Sequence, residues 1–154
     1  MEPRINYFQK GQGAFKALNG IGAYLSKSII EQPLLHLIYF RVSQINGCAF
    51  CLDMHSKDLR AIGETEQRLY MLSGWRDSPV YTARERAAFT WVEAVTSAHV
   101  PEAVYTASRE VFSEEELVDL TMAAIAINSY NRLNAAFLPT AGGYQPGMFN
   151  QQAK

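Results

Sequence analysis

The stretch Leu34-Leu35-His36-Leu37-Ile38-Tyr39-Phe40-Arg41-Val42-Ser43-Gln44-Ile45-Asn46-Gly47-Cys48-Ala49-Phe50-Cys51-Leu52-Asp53-Met54-His55 decides the fold. Leu34, Leu35, Leu37, Ile38, Val42 and Ile45 cover one broad face at helical spacing, and Pro33 suits the first turn of a helix starting near Glu31. Asn46-Gly47 breaks that helix, and the next runs from about Gly47 to Ala61, with Gly63 as its stop. Outward from this core, Ala14 to Ser28 reads as a helix with two internal glycines, and Thr65 to Leu72 as a short one. Capping boxes at Thr82-x-x-Glu85 and Ser113-x-x-Glu116 open helices reaching about Thr96 and Phe137, and Pro101 starts a shorter one ending near Arg109. The β-branched residues never alternate with polar ones long enough to make a strand. The expectation is an all-α fold of about six to seven helices in a single domain over residues 1–154. Its core spans about 14–138, and an irregular tail, 139–154, follows Pro139.

Composition narrows the function. Of the 154 residues, 48% are hydrophobic and 19% charged, enough to build a core and sparse in surface charge. Fourteen Lys+Arg against fifteen Asp+Glu supply no basic surface, so neither nucleic acid nor anionic lipid is an expected partner. No apolar window is long enough to span a membrane, and Met1-Glu2-Pro3-Arg4 does not open a secretory signal, so the expected compartment is cytoplasmic. A charge-poor surface and the alanines of the last helix (Ala123, Ala124, Ala126, Ala135, Ala136) predict a homo-oligomer. Asn128, Asn131 and Asn134 on that helix form either one wet side of a core element or bonded amides between subunits.

The chemistry lies in Cys48-x-x-Cys51-x-x-x-His55. At 100° per residue the three fall within roughly 60° of arc and share a helix face. With Asn46 as N-cap, Cys48 would lie in the first turn, where backbone N–H groups favour a thiolate. His55, one turn beyond Cys51, can take that thiol's proton. Two thiols so close close almost no loop, which points away from a structural disulfide and towards a dithiol redox centre. The same three residues are also candidate metal ligands, although a closed zinc site needs a fourth and no second Cys pair exists. A Cys-x-x-Cys after a strand, as in thioredoxin-like folds, does not fit this helical pattern. Asp53 and Asp58 read as a solvated face, and Tyr39 and Tyr130 as core aromatics able to line a pocket.

Leu34 to Arg60, with Arg41-Val42-Ser43-Gln44-Ile45-Asn46-Gly47-Cys48-Ala49-Phe50-Cys51-Leu52-Asp53-Met54-His55 inside it, resembles the core motif of AhpD-like proteins in the carboxymuconolactone decarboxylase superfamily. The order of helices is consistent with that resemblance over roughly 14 to 138. It implies an all-helical antioxidant fold, assembled as a dimer, trimer or hexamer, that reduces alkyl hydroperoxides. By resemblance, Cys51 becomes the sulfenic acid, Cys48 resolves it and donates a proton, and His55 relays protons. The chain departs from the pattern at His36, where well-studied members carry Glu twelve residues before the first cysteine, and at Phe50, where some carry His. His36 is therefore a fourth candidate, in the relay position. No nucleotide or flavin site is visible, so no cofactor and no resident metal are expected. The expected partners are a small organic hydroperoxide and an external dithiol or disulfide reductase. The alternatives are a redox-sensing or metal-binding Cys-x-x-Cys-x-x-x-His module without turnover, or a decarboxylase-like lyase.

Overall fold

The computed structural model describes residues 2–149. They form eight α-helices and no strand: α1 (Tyr7–Lys10), α2 (Gln12–Leu25), α3 (Gln32–Ile45), α4 (Ala49–Ala61), α5 (Glu66–Met71), α6 (Ala83–Thr96), α7 (Glu102–Arg109) and α8 (Glu114–Phe137). The all-α expectation holds, and the helix count exceeds the six to seven expected by the one-turn α1. Four residues carry no periodicity to read; α1 is held instead by the Asn6 side chain, which accepts from the Gln9 N–H at 3.3 Å. A 3₁₀ segment, Leu72–Asp77, follows α5 directly. Of the expected tail, residues 150–154 lie outside the described residues. No described helix is long and apolar enough to cross a membrane.

Both capping boxes form as read: Thr82 and Glu85 exchange bonds at the start of α6, and Ser113 and Glu116 at the start of α8. The junction of α3 and α4 differs from expectation. Asn46 does not cap α4; it ends α3, and Gly47 follows with φ +63°. The Gly47 N–H donates to Gln44 O at 3.3 Å and the Cys48 N–H to Ser43 O at 3.1 Å. This is a Schellman ending, which needs a left-handed residue at the glycine's position. The chain can re-enter a helix at once, and Cys48 itself becomes the N-cap of α4 (φ -83°, ψ 95°).

One apolar cluster gathers Leu34, Leu35, Ile38 and Val42 of α3, Ala88 and Val92 of α6, and Leu120, Ala123, Ala124 and Ile127 of α8. Ala123 and Ala124 are 0% exposed, and their small side chains let α3 and α6 lie close against α8. Both cysteines belong to this cluster. A second one, around Leu37, Phe40, Leu59, Leu72, Trp75 and Phe89, fixes the other side of α3 against α4 and α6. α4 is therefore anchored on α3, with its N-terminus aimed at α8.

Candidate functional site

The Cys48 and Cys51 sulfurs lie 2.7 Å apart, with both thiols free. N-cap geometry produces this approach: Cys48 Sγ accepts from the Cys51 N–H at 3.4 Å, so the first sulfur folds back over the first turn, where the second projects. From the facing helix, Asn134 Nδ2 donates to Cys51 Sγ at 3.1 Å and to Cys48 Sγ at 3.4 Å. The Asn134 carbonyl accepts from the buried Tyr7 hydroxyl at 2.7 Å. Beside it, Asn131 donates to Ser43 Oγ at 3.1 Å and accepts from Asn46 Nδ2 at 2.9 Å.

The pair is electrostatically asymmetric. The hydrogen bond from Cys51 pulls the Cys48 thiol down to about 6; burial opposes this, and the Asn134 amide and the α4 backbone add to it. Cys51 is pushed up, because Cys48 engages its proton and because it is buried. The contact therefore favours a thiolate on Cys48 over one on Cys51. Cys48 also lines a cleft of about 470 Å³, together with Asn46, Phe50, Asn131, Asn134, Leu138 and Pro139. Cys51, 1% exposed, lies behind it.

The two histidines are brought to each other rather than to the sulfurs. Their ring centroids are 6.2 Å apart, and Tyr39 packs 5.3 Å from His55 and 6.0 Å from His36. Both ring nitrogens of His55 and Nδ1 of His36 are buried without a hydrogen-bond partner among the described residues. Burial holds the His55 imidazole down to about 3 and also lowers His36. His55 is therefore neutral, and its one-turn spacing from Cys51 does not become a bond.

Sequence reasoning missed Asn134 as a partner of the thiols, Tyr7 as its anchor, and the place of Asp58. Asn131 and Asn134 of α8 are buried and bond within the chain. The signal available for Asn134 was a polar residue on an otherwise alanine-rich helix. Asp58 is not on a solvated face: it is half-buried near His36, and its Oδ1 accepts from the Tyr144 hydroxyl at 2.8 Å. Asp53 is partly buried, paired with Lys57 at 2.7 Å and accepting from the Gly142 N–H at 3.0 Å.

The uncharacterized protein YdfG of Bacillus subtilis is 40% identical over 88% of this chain and 95% of its own length. A crystal structure of an Agrobacterium tumefaciens protein of unknown function, named as a candidate antioxidant defence protein AhpD, is 43% identical. It superposes with a TM-score of 0.88 over 93% of this chain and 100% of its own. An uncharacterized peroxidase-related protein from Ralstonia eutropha with an alkylhydroperoxidase AhpD core shares the fold at 19% identity. Its TM-score is 0.78, over 92% of this chain and 77% of its own. The Carboxymuconolactone decarboxylase family profile matches residues 12–94, the segment that carries α2 to α5, most of α6 and both cysteines. On these matches the chain belongs to the carboxymuconolactone decarboxylase family, and within it is AhpD-like.

Proposed function

We propose that the chain is a thiol peroxidase that reduces small organic hydroperoxides through Cys48 and Cys51. The observation that carries this reading is the 2.7 Å approach of two free sulfurs under one shared amide, beside a cleft. The cleft wall combines Phe50, Leu138 and Pro139 with the Asn46 and Asn131 amides, which suits an apolar group bearing a polar peroxide. The Agrobacterium relative's name points the same way.

The attack is assigned to Cys51 on the family resemblance, and the short sulfur contact supports a proton-transfer and resolving part for Cys48. The Cys48 thiolate takes the Cys51 proton across the short contact. The Cys51 thiolate attacks the terminal peroxide oxygen, breaking the O–O bond, and the departing alkoxide takes the proton back from Cys48 to leave as the alcohol. Cys48, again a thiolate, attacks the Cys51 sulfenic acid, forming the disulfide and releasing hydroxide, which solvent protonates. The two thiols lose two electrons, the peroxide gains them, and an external dithiol restores the pair. The competing assignment has Cys48 attack, since it is the thiolate at rest and faces the cleft. The test is peroxide consumption with a chemical dithiol. Wild type should turn over, and Cys48→Ser and Cys51→Ser should each lose all but a trace of the activity. Retained turnover in both variants removes the dithiol from the reaction.

A further inference from the structure

His36, His55 and Asp58 meet between α3 and α4, and neither histidine is hydrogen-bonded or ion-paired to the carboxylate among the described residues. His55 and Asp58 are three apart on α4 and so share a face, and His36 reaches them from α3. We propose that these three side chains form a binding site for one divalent first-row transition ion of the zinc class. The site goes beyond the thiol reading and does not depend on it.

Three observations carry the proposal. First, no two of the three ligand atoms are more than 4.8 Å apart, so one point lies within about 2.8 Å of all of them; zinc bonds to imidazole and carboxylate run about 2.0–2.2 Å, so each side chain has less than about 1 Å to close. Second, His55 is 6% exposed, and among the described residues both its ring nitrogens lack a partner, as does Nδ1 of His36. A buried nitrogen left unbonded costs about 1–3 kcal/mol, and a metal ion satisfies one on each ring. Third, the carboxylate is already oriented. Tyr144 donates to Asp58 Oδ1 at 2.8 Å, the kind of outer bond that fixes a ligating carboxylate. Tyr144 is held in turn by Lys57, whose ammonium donates to the Tyr144 and Gly142 carbonyls at 3.0 Å each.

The donor set selects the ion. Two neutral imidazoles and one carboxylate suit zinc, cobalt, iron or nickel, whereas magnesium and calcium favour all-oxygen shells. Three protein ligands leave a fourth position for water. Neither thiol belongs to the group, which separates this site from a zinc bound through the Cys-x-x-Cys motif.

The test is titration with Zn²⁺, and separately with Co²⁺, of the full chain, read by calorimetry and absorption. Wild type and the Cys48→Ser/Cys51→Ser double variant should each bind one Zn²⁺ with the same affinity. Cobalt should give visible d–d bands without the near-ultraviolet thiolate-to-cobalt band. Asp58→Asn and His36→Gln, each first verified as folded by circular dichroism, should weaken binding by more than about tenfold, and Tyr144→Phe by about tenfold. If Asp58→Asn does not fold, His36→Gln decides. Mg²⁺ and Ca²⁺ should not compete. The proposal is overturned if no Zn²⁺ binds, if binding disappears with the two cysteines, if the thiolate band dominates, or if folded ligand variants bind like wild type.

Discussion

The Tyr7 hydroxyl donates to the Asn134 side-chain carbonyl at 2.7 Å, and this bond decides which end of the amide faces the thiols. A flipped Asn134 would turn its carbonyl towards the Cys48 thiolate, so Tyr7 holds the donor end in place. A hydrogen bond to a charged group is worth about 1.5–3 kcal/mol, or about 1–2 pKa units. Asn134→Leu should therefore raise the pH midpoint of Cys48 alkylation by about 1–2 units, and Tyr7→Phe should raise it by less. An unchanged midpoint in Asn134→Leu would show that the amide does not stabilise the thiolate.

The pH profile of wild type follows from the lowered Cys48 value. A thiol whose pKa falls to about 6 is mostly thiolate above that pH and mostly protonated below it. Alkylation of Cys48 by iodoacetamide should rise between about pH 5 and 7 and be flat above, whereas an ordinary thiol near 8.5 would still be climbing at pH 8. Stopped-time alkylation read by peptide mass at Cys48 gives the curve. A midpoint near 8.5 contradicts the shared-proton pair.

The division of labour between the sulfurs is open to direct trapping. Cys48→Ser held with excess hydroperoxide should slowly accumulate a dimedone adduct on Cys51, because the attack has lost its base but no thiol remains to resolve the sulfenic acid. Cys51→Ser should label Cys48 weakly. Strong labelling of Cys48 with none on Cys51 reverses the assignment and makes the resting thiolate the nucleophile.

What the sequence made legible was local. The capping boxes at Thr82 and Ser113, the glycine stop after α3 and the face shared by Cys48 and Cys51 all follow from spacings of a few residues. The register of the cap at α4 slipped by two because two signals overlap at Asn46-Gly47-Cys48. An Asn before Gly reads as an N-cap, yet the same pair completes a Schellman turn, and the six-residue bond from Cys48 to Ser43 decides between them. Asn134 sits 83 residues from Cys51 and meets it only because α8 crosses the start of α4. No periodicity carries that information. Asp58 misled for a related reason: a carboxylate among charged neighbours reads as solvated, and its burial comes from the segment around Tyr144, which folds back onto α4.

Assembly should follow from surface that this chain leaves apolar. On α8, Val118 and Ile125 are 58% and 43% exposed, and on α2 Tyr24 is 52% exposed although its hydroxyl donates to Asp119. These residues surround one helix-helix seam, and a second copy would cover them. Light scattering at micromolar concentration should return a multiple of 17.3 kDa, a trimer or hexamer. A mass of 17.3 kDa across that range rejects assembly.

If the two sulfurs act as one two-electron centre, a single turnover must oxidise both. Reduced, desalted protein mixed with one equivalent of cumene hydroperoxide and no other reductant tests it in a single turnover. One equivalent of alcohol per chain is expected, together with an intact-mass loss of two hydrogens that maps to a Cys48–Cys51 disulfide and is reversed by dithiol. Unconsumed hydroperoxide with both thiols still alkylatable, or alcohol formed without that disulfide, would contradict it.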